Sequence, residues 1–385
     1  MATDDKLILV TLTFFHGLDH GFLMIFPTVL LLIKSEFSLS FYQIGILGTL
    51  QAFGFGFTSI PSGFLADKLG EIKILYGFLT ICGISSLLVA SSPQSFYVLG
   101  VFYLFLGIGT GLYHPFSTAL VSKLFENNRG FALGVHGIGG TLGLALAPTV
   151  SGILAFKFGW RSAYFGFALL SFLSVFIFHL IYRETLERGE KPKVSFEHLK
   201  SVFKIAILIL LGIRIFEGLF YNSAITYTQT FIEKTLVIAT LKGGFFTTLA
   251  LLGGVFGQAL GGFLADRFGR KKTILLFFAL DFLFIFLIPR VPNFFLIFLI
   301  ALFFFTLFAS QPPVNALIAD LTPEKLRGRV YGIFFFLTFG VGALAPSILG
   351  WIIDSFGLEK IFTAMLLMSG FALIFALRLY FEETK

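Results

Sequence analysis

The sequence is short of cysteine and of charge, and each shortage excludes a class of protein. Cys82 is the single cysteine in 385 residues, which excludes a disulfide framework and a multi-cysteine metal site. Only 13% of the residues are charged, whereas 57% are hydrophobic and the mean hydropathy is +0.93. A soluble domain of this length needs a denser cover of charge, so this composition indicates a protein that lies in lipid.

Two further absences narrow the function. No glycine-rich loop ending in Gly-Lys-Ser/Thr is present, which argues against direct drive by ATP. The net charge of +7 does not indicate nucleic-acid binding, because the basic residues lie between hydrophobic runs. Residues 1–6 have neither the basic segment nor the cleavage site of a signal peptide, so we expect the first helix to be retained as a signal anchor.

Hydrophobic runs of the length that spans a bilayer follow one another along the whole chain. The twelve runs cover 7–33, 43–65, 74–91, 95–124, 130–156, 161–182, 203–232, 243–265, 273–289, 293–321, 330–353 and 361–380. One long polar stretch, 183–204, separates six runs from six. The sequence therefore predicts an all-α membrane protein with an N-terminal lobe at 1–182, a cytoplasmic linker at 183–204 and a C-terminal lobe at 205–385.

The basic residues are distributed unevenly between the two sides of the predicted bundle. With both termini inside, 20 Lys and Arg residues fall on the inner side, seven on the outer side, and Arg214 lies within a helix. Lys and Arg accumulate in cytoplasmic loops. We therefore expect a multi-pass protein of the cell inner membrane with both termini in the cytoplasm.

The two predicted lobes share an internal repeat. Residues 63–67 read GFLAD and residues 262–266 read GFLAD again, while Arg129-Gly130 recurs as Arg327-Gly328. Further matches pair 145–148 with 343–346, 158–159 with 356–357, and 15–18 with 216–219, all at offsets close to 198. Parallel repeats of this kind are typical of transporters whose substrate site lies between the lobes near the bilayer midplane.

The repeated GFLAD segments resemble the loop signature of the major facilitator superfamily, and they lie between helices 2 and 3 and helices 8 and 9, as in that family. The resemblance covers the whole chain and implies twelve transmembrane helices in two pseudo-symmetric six-helix lobes. It also implies a cytoplasmic gate that contains Gly63, Asp67, Lys68, Gly70, Gly262, Asp266, Arg267, Gly269 and Arg270. Gly63 and Gly262 are expected to permit close helix contact, and the two aspartates to face a neighbouring helix N-terminus.

A narrower resemblance bears on the direction of transport. His16, the segment 35–45 and His114-Pro115 are similar to the fosmidomycin-resistance branch of that family, whose members are regarded as efflux permeases.

Three features of the sequence depart from the pattern of the superfamily. Glu71 replaces a usual basic residue, Gly143–Gly152 is a degraded antiporter motif, and Tyr103 stands where proton-coupled drug exporters have an arginine.

Ionisable residues are costly inside a membrane, at about 2.5–3.5 kcal/mol each, so those present are candidates for function. His16, Asp19 and His20 share one face of helix 1 because their spacing is i, i+3, i+4. Helices 1, 4, 7 and 10 line the central cavity in the superfamily. The substrate and proton cavity is therefore predicted to contain His16, Asp19, His20, His114, Arg214, Glu217, Gln311 and Asn315.

We expect Asp19 to carry the coupled proton, with Glu217 as the other candidate and a histidine as relay, because imidazole changes charge near neutral pH. Arg214 would attract an anionic group of the substrate. The alternative for Arg214 and Glu217 is that they merely neutralise each other. His136 is a weaker candidate because its neighbours Gly137, Gly139 and Gly140 suggest tight packing.

The sequence thus predicts a secondary active transporter, and not an enzyme, that moves a small organic solute by alternating access, with proton coupling and export favoured. Uptake of a small organic anion and divalent metal-ion transport through His16, Asp19 and His20 remain open, and an intramembrane zinc enzyme is a remote alternative. The expected partners are a small-molecule substrate, protons and membrane lipid, with no nucleic acid, no cofactor and no resident metal. A monomer is expected.

Overall fold

The computed structural model describes residues 2–125, 129–181, 204–323 and 326–382. Within these ranges the chain is almost entirely helical. The helices are α1 Ala2–Glu36, α2 Phe41–Leu69, α3 Glu71–Ala90, α4 Phe96–Gly111, α5 His114–Leu124, α6 Arg129–Phe158, α7 Arg161–Ile181, α8 Ile205–Leu236, α9 Thr240–Phe268, α10 Arg270–Leu287, α11 Asn293–Ala309, α12 Gln311–Leu321, α13 Arg327–Phe335, α14 Leu344–Phe356 and α15 Lys360–Phe381. A 3₁₀ turn covers Ile288–Arg290 and a π-helical segment covers Phe336–Val341.

Among the described residues, twelve helical segments are long and apolar enough to cross a membrane. We number them span 1 to span 12. Span 4 consists of α4 and α5, span 10 of α11 and α12, and span 11 of α13, the π segment and α14, while each other span is one helix. Large apolar side chains lie exposed on the outer surface, where lipid would cover them; Phe156, Phe176 and Phe256 are examples. The predicted all-α, twelve-span architecture is confirmed.

The internal repeat extends to the backbone. Gly70, between spans 2 and 3, has φ 91° and ψ 147°, and its repeat partner Gly269 has φ 91° and ψ 143°. Gly159 and Gly357, another repeat pair, have φ of 83° and 91°. Residues with a Cβ rarely adopt these backbone angles, so glycine is required at equivalent turns of both lobes. The linker predicted at 183–204 falls outside the described residues apart from Lys204, so the domain boundaries stay a prediction.

Spans 4 and 10 are each broken in the middle by proline. Helix α4 ends at Gly111 and α5 begins with His114-Pro115, whereas α11 ends at Ala309 and α12 begins with Gln311-Pro312. Proline cannot donate the backbone hydrogen bond that would continue the helix. His114 and Gln311 consequently occupy the same place in the two lobes, each at the first turn after a break.

Small residues set the distances between spans within each lobe. A Cβ added to Gly253, Gly257 or Gly261 in span 8 would collide with backbone atoms of Ala301, Phe305 or Ala309 in span 10. Gly107 and Gly111 in span 4 meet the backbone of span 2 in the same way. These glycines therefore allow the paired spans to approach at backbone distance. Such contacts replace the hydrophobic driving force that lipid does not supply.

The two lobes pack against each other on one side of the bundle. We call the side where span 1 begins the amino-terminal face, and the other side the opposite face. Towards the opposite face, Gly45 and Gly350 bring spans 2 and 11 into backbone contact, and Gly244 does the same for spans 8 and 5. Gln229 of span 7 donates a hydrogen bond across the lobes to the carbonyl of Thr28 of span 1 at 3.1 Å. The interface is therefore closed on the opposite face.

Candidate functional site

A cavity of about 750 Å³ lies between the lobes, in the part of the bundle nearer the amino-terminal face. Its walls come from spans 1, 4 and 5 of the first lobe and spans 7, 8, 10 and 11 of the second. Seven of the eight predicted cavity residues line it: His16, His20, His114, Arg214, Glu217, Gln311 and Asn315. The eighth, Asp19, lies behind this wall. The volume is in the range that accommodates a small organic molecule.

The first lobe presents a wall of histidine. The ring centroids of His16, His20 and His114 are 4.8–5.0 Å apart in all three pairs. The i, i+4 spacing brings His16 and His20 together on span 1, and the break in span 4 brings His114 to them. His16 and His114 are buried and His20 is half-buried, and all three line the cavity. The sequence-based grouping of these residues is thus reproduced in space.

His136 of span 5 belongs to the same cluster. Its ring stacks on that of His16 with centroids 4.3 Å apart, and its backbone carbonyl accepts a hydrogen bond from His16 Nδ1 at 2.7 Å. Tyr113 donates its hydroxyl proton to the carbonyl of Leu12 at 2.5 Å, so its oxygen accepts from His136 Nε2 at 3.0 Å. The sequence reading discounted His136 because of nearby glycines. One of those glycines makes room for the ring of His16, since a Cβ at Gly140 would lie 2.6 Å from that imidazole.

Asp19 is completely buried beside the histidines. Its Oδ2 lies 3.1 Å from Nε2 of His114, but among the described residues neither oxygen of its carboxylate receives a hydrogen bond of good geometry. The relative exposure of Asp19 is 0%, which separates it from the cavity that His114 reaches. Asp19 therefore reaches the cavity only through His114.

The second lobe presents an arginine held by two partners. Arg214 donates from Nη1 to Glu217 Oε2 at 2.8 Å and from Nη2 to Oδ1 of Asn315. Asn315 in turn accepts a hydrogen bond from Tyr331 through its backbone carbonyl at 2.7 Å. Mutual neutralisation of Arg214 and Glu217 is therefore present, and both residues also line the cavity. Gln311, also half-buried, lines the same cavity.

Several polar residues of the cavity were not singled out from the sequence. Arg327 lines it and donates to the carbonyls of Ala319 and Thr322 at 3.2 and 3.3 Å. Thr141 and Gln258 meet across the lobes at 2.6 Å. Arg327 belongs to the repeated Arg-Gly pair, which was the one sequence signal for it, while Thr141 and Gln258 carried none.

The gate motif is described in part. Gly63 and Asp67 lie in α2, and their surroundings fall outside what the structure describes. Lys68, Asp266 and Arg267 are exposed, and Arg270 pairs with Asp320 and donates to the carbonyl of Ala316 at 2.6 Å. A Cβ at Gly262 would meet Pro312 only at an ordinary 3.8 Å, so the close contact expected there lies at Gly261 instead.

The chain is similar in sequence to a family of known proteins. The model of the Major Facilitator Superfamily matches residues 9–241 and 210–385. An uncharacterized MFS-type transporter, YfnC of Bacillus subtilis, is 27% identical over 369 residues, which are 93% of this chain and 89% of the relative. The fosmidomycin resistance protein of Escherichia coli is 25% identical over 342 residues, or 86% of this chain and 82% of that protein.

A solved structure shares the fold. It is a bacterial homologue of the human lysosomal transporter Spinster, in an inward-facing and occupied conformation. It superposes with a TM-score of 0.82 at 17% identity, over 97% of this chain and 96% of that one. With the family model matched over nearly the whole length, the chain belongs to the Major Facilitator Superfamily and is a membrane transporter rather than an enzyme.

Proposed function

We propose that this transporter moves a small organic anion across the membrane by alternating access, with a proton as the coupling ion. The observation that carries the proposal is Arg214, which faces the cavity between the lobes and is held by Glu217 and Asn315. Guanidinium groups bind carboxylate, sulfonate and phosphonate groups through paired hydrogen bonds.

The charge of the cavity supports an anionic cargo. Among the described residues that line it, the charged side chains other than histidine are two arginines, Arg214 and Arg327, and one carboxylate, Glu217. With the histidines neutral, the lining carries one more positive than negative charge. In a cavity with low-dielectric walls such an excess raises the local concentration of anions.

Coupling is assigned to Glu217 because it already touches the group that would bind the anion. A proton on Glu217 removes the charge that neutralises Arg214, so the arginine becomes free to bind an anionic group. Proton and anion then bind together, so an inward proton gradient would drive uptake of the anion. The sequence-based assignment of the coupled proton to Asp19 stays a prediction; Asp19 touches the cavity only through His114.

Export is the second candidate. It is favoured by the 25% identity to a fosmidomycin resistance protein, whose name describes protection from a compound. Export that is driven by an inward proton gradient requires that a bound proton and a bound substrate exclude each other from the transporter. The sign of the proton effect on substrate binding therefore separates the two directions.

We place the protein in the inner membrane as a monomer, with both termini and the predicted linker in the cytoplasm. The uneven distribution of Lys and Arg supports this orientation. The cavity would then face the cytoplasm in the conformation described above. Labelling of a cysteine introduced at 187–193 from the periplasmic side would contradict this topology.

Thermal-shift screening of the purified protein against carboxylates, sulfonates, phosphonates and amines, at two pH values, tests the proposal. An anion should stabilise the protein, and Arg214→Gln should weaken its binding about tenfold or more, since hydrogen bonds between charged groups contribute about 1.5–3 kcal/mol. Arg378→Gln, which removes an exposed arginine that pairs with Glu382 away from the cavity, is the matched control. Stabilisation by amines alone, or equal anion binding in both variants, would contradict an anion transporter.

A further inference from the structure

Three histidine nitrogens in the cavity wall have the arrangement of an incomplete metal site. One ring nitrogen each from His16, His20 and His114 lie within 4.8 Å of one another. Among the described residues, Nε2 of His16 and Nδ1 of His20 are buried and make no hydrogen bond. Buried polar atoms usually have a partner, so unpaired imidazole nitrogens in such a cluster indicate a missing ligand.

The tautomer of His16 is fixed in the form that a metal requires. Its Nδ1 lies 2.7 Å from the backbone carbonyl of His136, and a carbonyl can only accept, so Nδ1 carries the proton. Nε2 of the neutral ring therefore presents its lone pair. Metal-binding histidines commonly donate their other N–H to a backbone carbonyl in this way.

Asp19 supplies the negative charge that a buried cation needs. Its carboxylate is fully buried, lies 3.1 Å from His114 Nε2, and has its nearest described ionic partner in that histidine. A buried carboxylate offsets half the charge of a divalent ion bound by three neutral imidazoles, whereas three packed neutral histidines alone would leave Asp19 without a cation. Asp19 can also orient His114 as a carboxylate behind a metal ligand does.

We propose that His16, His20 and His114, supported by Asp19, bind one divalent transition-metal ion such as Zn²⁺ in the wall of the transport cavity. Tetrahedral zinc holds nitrogen ligands at about 2.0–2.1 Å, which places them about 3.4 Å apart, so the nitrogen–nitrogen distances need to shorten by up to about 1.4 Å. All three rings line the cavity, so the fourth position of the ion opens to it. The site does not depend on which solute the protein carries.

The test uses the full-length protein, purified without a polyhistidine tag, and measures binding of Zn²⁺ by calorimetry and of Co²⁺ by visible absorption. One equivalent of each ion should bind, and Co²⁺ should give the strong bands of tetrahedral nitrogen coordination. His20→Gln and His114→Gln should each lower the affinity at least tenfold. His179→Gln is the matched control, because His179 lies near Tyr76 of span 3, at 3.2 Å, outside the cavity.

Two readouts keep the outcome clear if a variant folds poorly. The wild-type Co²⁺ spectrum reports nitrogen ligation without any substitution, and Zn²⁺ should raise the melting temperature of the wild type because it binds the native state. Absence of stoichiometric binding by the wild type would overturn the proposal. So would an equal loss of affinity in His179→Gln. Since binding is measured directly, failure here leaves the test of anion transport unaffected.

Discussion

The carboxylate of Asp354, at the end of span 11, accepts the backbone N–H of Tyr42, at the start of span 2, across 2.8 Å. Its other oxygen accepts the N–H of Phe41 at 3.0 Å. The first N–H groups of a helix have no partner within the helix, so an acidic residue of one lobe caps a helix of the other. This contact crosses the lobe interface on the opposite face, which must open during transport.

Asp354→Asn should therefore favour opening on the opposite face. The amide can accept only one of the two bonds and turns its NH₂ towards the other donor, at a cost of about 1 kcal/mol, or roughly fivefold in the ratio of conformations. Spin labels at Tyr97→Cys and Phe356→Cys, in a Cys82→Ala background, would report the separation of the lobes. Glu359→Gln, an exposed acid in the following loop, is the control. An unchanged distance distribution in Asp354→Asn would remove this role.

The glycines between spans 1 and 5 give a prediction with two signs. A Cβ at Gly143 would collide with the backbone of Gly17, whereas a Cβ at Gly134, on the same helix, would meet nothing within 4 Å. Gly143→Ala should lower the melting temperature, since overpacking costs about 1–3 kcal/mol. Gly134→Ala should leave it unchanged or raise it, because alanine favours a helix by about 1 kcal/mol. Similar melting temperatures for both variants would contradict the close approach.

Much of the fold could be predicted because lipid imposes it. Each span needs about 20 apolar residues, and the run predicted at 293–321 has the same limits as the span observed there. The GFLAD repeat likewise fixed which turns would be equivalent, as Gly70 and Gly269 show. Local sequence was sufficient for these features.

The parts that were missed depend on contacts between distant residues. Whether His136 packs or lines a cavity depends on His16, which is 120 positions away. The position of His16 depends in turn on Gly140, which leaves room for the His16 ring. Span 11 contains a π segment at Phe336–Val341, whereas its repeat partner in span 5 is continuous α-helix. Gly340 in that segment packs directly against Gly56 of span 2. No hydropathy pattern encodes such pairings.

The gate motif should control the balance of conformations rather than substrate affinity. Asp67→Asn and Asp266→Asn are expected to lower the rate of transport about tenfold while leaving the melting temperature and substrate binding unchanged. Asp266 is exposed in the conformation described, so loss of its carboxylate should not destabilise that conformation. Flux into proteoliposomes and binding by the purified protein are measured in parallel, with Glu359→Gln as control. Wild-type flux in both aspartate variants would refute a gating role.

The last prediction concerns Glu217. Glu217→Gln resembles the protonated carboxyl: it can still accept a hydrogen bond from Arg214 but no longer neutralises its charge. The anion should therefore bind as tightly as in the wild type or several-fold more tightly, while accumulation driven by a proton gradient is lost. Exchange of labelled for unlabelled substrate across the membrane should continue, because it needs no change in protonation.

Asp281→Asn is the matched control for that variant. Asp281 is a fully buried carboxylate of span 9 that accepts a hydrogen bond from Thr306 at 2.6 Å and does not line the cavity, and asparagine keeps an acceptor there. It should retain both gradient-driven accumulation and exchange. If Glu217→Gln also accumulates substrate in response to a proton gradient, the coupled proton is carried elsewhere, and Asp19 becomes the carboxylate to test. If Glu217→Gln loses both accumulation and exchange while still binding substrate, Glu217 is needed for the conformational change itself, and the coupling proposed for it is wrong.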